Sequence, residues 1–281
     1  MTDFVWQSTP SIVALIFVLG SCVGSFINVV AYRLPIMNQH STDTSRFNLA
    51  YPRSRCPSCT QAINPWQNLP IVGYLWLRGR SRCCNQPIGI HYALTELITG
   101  AVSVGVFVYL MAVAGPLISN SAAFLTMLGT TLGLFWWLIA ILTISRQHPV
   151  NASPLWQSLL WLGLLTNLDG HYRPLPEVVG LAFFAFVVGN LAQAWVCHGQ
   201  DRVCHGQDRV QPLTHGVAAG LAWFGTTFLL PLALLALCLG LARLRSRVGG
   251  YVGNETSGAR QLQIRQGAVA TAMVLSWFFS I

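Results

Sequence analysis

The chain contains no lysine, and only eight of its 281 residues are acidic: Asp3, Asp43, Glu96, Asp169, Glu177, Asp201, Asp208 and Glu255. Charged residues make up 9% of it, where an ordinary soluble domain carries roughly a quarter. A globule of 30.7 kDa has no way to build a water-facing surface from so few charges. This scarcity excludes a soluble enzyme, a disordered tail protein and a secreted disulfide knot. Nucleic-acid binding is excluded as well, because no segment clusters basic residues on a soluble face between apolar core stripes. Apolar residues are what the chain does hold in quantity, at 53% hydrophobic. The composition is that of a polytopic protein of the lipid bilayer. All sixteen basic residues are arginine, and the net charge of +8 reads as membrane topology.

A membrane span needs about 20 predominantly apolar residues. Candidate spans are 11–31, 95–117, 122–144, the short 154–168, 175–196, 213–242 and the short 266–281. The first has Asp3 and no basic residue before it, so it reads as a retained helix and not as a cleaved signal. Segment 213–242 is interrupted by Pro231. At 1.5 Å per residue it is about 45 Å long, too long for one straight span and short for two. The arginines decide between these readings. Arg33, Arg46, Arg53, Arg55, Arg78, Arg80 and Arg82 all fall between the first two candidates, which makes that loop the inside one. If 213–242 is two spans, fifteen of the sixteen arginines lie inside and only Arg173 outside. If it is one span, Arg243, Arg245, Arg247, Arg260 and Arg265 all violate the rule. The expected fold is therefore all-α, with about eight transmembrane helices and both termini outside. Its parts are a first helix at 1–31, a cysteine-bearing loop domain at 32–94 and a polytopic remainder at 95–281.

That inside loop holds Cys56 and Cys59 in a Cys-x-x-Cys pair and, after 23 intervening residues, the adjacent Cys83 and Cys84. Thiols on an inside loop stay reduced, so a disulfide framework is not expected. Four thiolates suit a tetrahedral structural zinc, which would fasten a loop domain with too little core of its own. The alternative is four unrelated free cysteines. Cys22 and Cys238 sit in apolar spans and read as packing residues.

Several motifs together resemble the type IV prepilin leader peptidase/N-methyltransferase family. They are the run Gly24-Ser25-Phe26-Ile27-Asn28 through Tyr32-Arg33-Leu34-Pro35, then Pro52-Arg53-Ser54-Arg55-Cys56 to Asn68-Leu69-Pro70. Arg78-Gly79-Arg80-Ser81-Arg82-Cys83-Cys84 and His91-Tyr92-Ala93-Leu94-Thr95-Glu96 through Gly100 complete the set. The match covers about the first 100 residues. Ser81 stands where the family has the first cysteine of a second Cys-x-x-Cys, and Cys83 supplies the fourth thiol. The resemblance implies a bacterial inner-membrane protein of eight helices, with periplasmic termini and a cytoplasmic cysteine loop. It also implies cleavage of the leaders of type IV prepilins or type II secretion pseudopilins. Methylation of the new N-terminus with S-adenosylmethionine follows, alongside the assembly proteins of those systems.

The same resemblance makes the peptidase an aspartic one, and that chemistry needs two carboxylates sharing one proton. The family's Trp-x-Gly-Leu-Leu-x-Asn-Leu run is present at 161–168. Counting back from it without a gap puts Ser145 in the first catalytic aspartate position. No acid occurs between Glu96 and Asp169. Counting back from the Ala-Ala-x-x-Ala-Trp run at 218–223 puts Leu213 in the second. Asp208, five residues early, is the nearest acid and the candidate catalytic residue of this half. The segment 196–202 recurs at once as 203–209. It reads either as a metal site of Cys197, His198, Cys204 and His205 or as a tandem duplication. Three functional readings follow: a family member with cleavage lost or impaired, an active bifunctional enzyme using Asp201 or Asp208, and a non-enzymatic pilin-binding scaffold. In the first, Gly24, Ser25, Asn28, Glu96 and Gly100 are candidates for the methyl-transfer site, with ordinary helix packing as their alternative role.

Overall fold

The computed structural model describes residues 2–39, 48–56, 58–113, 121–147, 153–168, 174–198, 207–224, 228 and 267–276. Among them the chain is all-α. Helices α1 (Thr2–Gln39), α2 (Val72–Trp76), α3 (Ile90–Val113), α4 (Ser121–Gln147), α5 (Ser153–Thr166), α6 (Leu175–His198) and α7 (Gln207–Phe224) follow in order. A further helix, α8, spans Gly267–Ser276. A 3₁₀ turn, Pro65–Asn68, precedes α2. Among the described residues three stretches are long and apolar enough to cross a membrane: Pro10–Met37, Ile90–Val113 and Ala122–Arg146. The expectation of two spans within 213–242 falls largely outside the described residues, as do Asp201, Cys204, His205 and Cys238.

Helix starts and ends differ from the apolar runs, three of them toward the polar loops. α1 continues to Gln39, beyond residue 31, and α3 begins at Ile90, before residue 95. α7 begins at Gln207, six residues ahead of Leu213, and so takes in Asp208. The reason is that helical hydrogen bonding is local, whereas hydropathy marks where a membrane would end. The extension of α1 is held by Arg33, whose guanidinium donates to the Asn48 carbonyl at 2.7 Å and the Pro52 carbonyl at 2.6 Å.

The chain packs as two units, Met1–Thr143 and Ile144–Ile281, divided within α4. In the first, α1 lies against α3. A Cβ on Gly24 would come within 2.8 Å of the Glu96 Cα, and one on Gly20 would collide with the Ser103 hydroxyl. Small residues let the two backbones approach where lipid removes any hydrophobic drive between helices. Trp136 of α4 donates its indole N–H to Ser103 Oγ at 2.9 Å.

In the second unit α7 packs on α5 and α6. Asn167 follows the end of α5. Its amide reaches the carbonyls of Gly163 (3.0 Å), Ala222 (3.0 Å) and Trp223 (3.2 Å). Trp223 returns its indole N–H to the Leu159 carbonyl at 2.9 Å, and a Cβ on Gly163 would collide with that indole. The runs at 161–168 and 218–223 therefore meet. Their shared identities serve a helix contact in which the buried Asn167 amide and Trp223 indole are hydrogen-bonded.

Candidate functional site

The two cysteine turns are copies of one another. In the first, the Cys56 N–H donates to the Gln61 carbonyl (2.9 Å) and the Thr60 N–H to the Cys56 carbonyl (2.8 Å). In the second, the Ser81 N–H donates to Gln86 (2.8 Å) and the Asn85 N–H to Ser81 (2.9 Å). Each turn closes on a left-handed residue, Thr60 at φ 58° and Asn85 at φ 59°. One antiparallel bridge flanks each, Arg55 with Ala62 and Arg80 with Pro87. This register pairs Cys56 with Ser81 and Cys59 with Cys84. A left-handed threonine is uncommon, and such backbone strain persists where the surroundings hold it in place.

All four sulfurs lie within 4.8 Å of one another. Cys59 to Cys83 is 3.1 Å, Cys56 to Cys84 is 3.6 Å and Cys83 to Cys84 is 3.9 Å. A zinc ion with Zn–S bonds of about 2.3 Å needs tetrahedron edges of about 3.8 Å, so the donor set and its spacing fit that ion. Ser81 keeps the turn instead of lending a ligand. Its Oγ accepts the Gln86 N–H at 3.1 Å and lies 3.1 Å from Cys84 Sγ. Backbone N–H groups of Cys59 and Ser58 aimed at the Cys56 sulfur lower its thiol from 9.0 to about 6. The hydrogen bond with Cys59 is the main cause pushing Cys83 up to about 12. Cys56 thus favours the thiolate and Cys83 the thiol, and a bound cation would displace the Cys83 proton.

Between these turns and the α1–α3 pair lies a cavity of about 670 Å³, lined by Ser25, Asn28, Tyr32, Tyr92 and Glu96 among others. Asn28 donates its amide N–H to the Tyr92 carbonyl at 3.0 Å. Its Oδ1 has no donor, although the side chain is only 6% exposed. Glu96 Oε2 accepts the Ile71 N–H at 2.7 Å. Ile71 has φ 62°, a conformation a β-branched residue rarely takes. Acceptor capacity remaining on Asn28 and Glu96 suits this wall to a ligand that brings N–H groups. Of the residues singled out near the membrane surface, Ser25, Asn28 and Glu96 line the cavity. Gly24 and Gly100 pack helix on helix. Ile71 carries no signal in the sequence, because its role is a backbone N–H.

Ser145 lies on α4 and is 5% exposed. Leu213 and Asp208 both lie on α7, five residues apart and so more than one helical turn. Asp201 is outside the described residues.

A sequence profile of the bacterial peptidase A24 N-terminal domain matches residues 18–110. Curated proteins similar to this chain bear the name prepilin leader peptidase/N-methyltransferase. That of Klebsiella pneumoniae is 39% identical over 176 residues, covering 63% of this chain and 68% of that protein. That of Burkholderia pseudomallei (strain 1026b) is 39% identical over 182 residues, 59% of this chain and 55% of that protein. The match to that of Pseudomonas putida runs nearly end to end, 32% identical over 282 residues, 96% of this chain and 88% of that protein. No solved structure matches.

Proposed function

The chain belongs to the prepilin leader peptidase/N-methyltransferase family, and from that premise we propose that it engages prepilins or type II secretion pseudopilins at the bacterial inner membrane with leader cleavage lost or severely reduced. In this reading the termini are periplasmic and the cysteine loop is cytoplasmic. The observation that carries it is Ser145, a buried hydroxyl where the first catalytic carboxylate is expected. A hydroxyl does not ionise at neutral pH and so takes no share of the proton that two aspartates pass between them. Leu213 in the second position has no polar group at all. Asp208 or Asp201 would have to act alone for the enzyme to remain active. A double Asp201→Asn/Asp208→Asn variant that still cleaved would exclude that mechanism.

The methyl-transfer half fares better. S-adenosylmethionine, the methyl donor of the family, would supply an electrophilic methyl group when bound. The loop cavity is of a size usual for such ligands, and the undonated Asn28 Oδ1 supports a site there. Asn28 orients the N–H bonds of a substrate amine. Glu96 is the one carboxylate lining the cavity, and it receives the proton that an ammonium sheds before it reacts as a nucleophile. Zinc at Cys56, Cys59, Cys83 and Cys84 holds the loop that forms the cavity's far wall.

Co-expression with a prepilin in a strain lacking its own peptidase tests the first part, and leader removal there would refute it. Transfer of a tritiated methyl group to a pre-cleaved pilin tests the second. Label is expected on the wild type and is expected to fall at least about a hundredfold in Glu96→Gln, the low end of the about 10²–10⁴-fold that a positioned proton acceptor contributes. Capture of prepilin with neither reaction would leave the scaffold reading.

A further inference from the structure

The loop between α1 and α3 carries an apolar face that no other part of the described chain covers. Val72, Leu75 and Trp76 stand at i, i+3 and i+4 of α2 and therefore on one side of it. Leu75 is 67% exposed, Trp76 74% and Trp66, in the preceding 3₁₀ turn, 71%. Gly73 of the same helix is turned inward, where a Cβ would collide with the Gln67 carbonyl. An amphipathic element in water turns its apolar side inward, and this one does not.

Its depth explains why. The Ile71 N–H, at the start of α2, donates to Glu96 of α3. Glu96 is six residues past Ile90, about 9 Å along the helix axis. It thus lies within a stretch long and apolar enough to cross the membrane. α2 therefore begins beside the span and not out in solvent beyond it. Neighbouring residues of α3 at that level, Leu94, Leu97 and Ile98, are also exposed, as lipid-facing residues are. Charge points the same way. Arg78, Arg80 and Arg82 follow α2 directly and are exposed. They share with Trp66 and Trp76 the walls of a cleft of about 650 Å³. Seven arginines and the single acid Asp43 occur between residues 33 and 89.

We infer that α2 and its flanking turns lie in the polar–apolar boundary of the bilayer, with Trp66, Leu75 and Trp76 among the acyl chains and Arg78, Arg80 and Arg82 on the phosphates of anionic phospholipids. Tryptophan concentrates at that boundary, and arginine gains from a negative leaflet in a salt-dependent way. An element with an apolar face and adjoining cations lies in the interface plane without spanning it. The inference stands whether or not the chain transfers methyl groups.

The test uses the full chain in nanodiscs of phosphatidylcholine, with and without phosphatidylglycerol. A photo-crosslinker placed by Leu75→p-benzoylphenylalanine should label phospholipid, and one at the exposed Arg53 should not. Phosphatidylglycerol should raise the yield at position 75, and an Arg78→Gln/Arg80→Gln/Arg82→Gln variant should lose that increase while keeping the yield in phosphatidylcholine. In the same discs Trp66→Phe/Trp76→Phe should lower the fraction of tryptophan emission quenched by brominated lipid. A protein adduct at position 75, no lipid adduct there, equal labelling at 53, or unchanged quenching would each overturn the inference. Metal content of every variant verifies that the cysteine turns are folded.

Discussion

Ser81 is the residue at which the two cysteine turns part company. It occupies the position of Cys56 in the matching turn, and Cys83 delivers the missing thiol from one residue before Cys84. Cys83→Ser should therefore weaken metal binding by at least about tenfold, since loss of even an outer partner costs 10–100-fold. Adding Ser81→Cys to that variant should restore it, because the turn geometry at residue 81 already matches that at 56. Metal titration against a competing chelator reads both, and a double variant no better than the single would show that the turns are not equivalent. The thiols also set a pH dependence for the metal-free loop. Cys56 is lowered to about 6, so its contribution to stability is complete above 9.0 and fades as pH falls toward 6. Cys83 is raised to about 12, so its contribution is complete below 9.0 and fades as pH climbs toward 12. Thermal unfolding of the chelator-treated protein should thus show loop stability greatest near pH 9, whereas a steady trend through that pH would contradict the assignment.

At the level of helices, close approach is set by glycines facing backbone. A Cβ at Gly24 meets the Glu96 Cα and, at 3.0 Å, the Thr95 carbonyl, neither of which can rotate away. Gly24→Val should cost about 1–3 kcal/mol, the usual penalty of overpacking, and should be seen as a lower melting temperature in detergent. A methyl-transfer loss beyond that of a mild thermal defect would follow from the parting of Asn28 and Tyr92. Asn167 performs the equivalent task in the second unit with polar groups. Asn167→Ala strips a donor from buried carbonyls of Gly163, Ala222 and Trp223, at about 1–3 kcal/mol. Unchanged stability in that variant would mean the carbonyls find other donors.

For the molecule as a whole, the deciding prediction concerns acids. Ser145→Asp alone should not restore leader cleavage, because Leu213 leaves the new carboxylate without a partner. Cleavage by that single variant would show that Asp201 or Asp208 already serves as the second. Much of this was readable beforehand. The helices announced themselves through apolar length, and the cysteines through ligand type and spacing. Other parts were silent for physical reasons. Thr60 and Ile71 adopt left-handed backbone against their own preference, and only tertiary contacts decide that. The cavity exists because α1 and α3 touch at Gly20 and Gly24, a pairing of residues some 70 to 80 positions apart. The family-like runs of the second half were legible as resemblance, yet their role is packing, through Gly163, Asn167 and Trp223. That the chain packs as two units has an evolutionary meaning. The thiol turns, the cavity and the α1–α3 seam all belong to Met1–Thr143, and Ser145 and Leu213, the positions proposed to have lost the aspartates, belong to Ile144–Ile281. Selection for one half need not preserve the chemistry of the other. Among strains carrying this gene, substitutions that change chemistry should accumulate faster after residue 143 than before it, while the Gly163, Asn167 and Trp223 contact stays fixed in both fast and slow lineages.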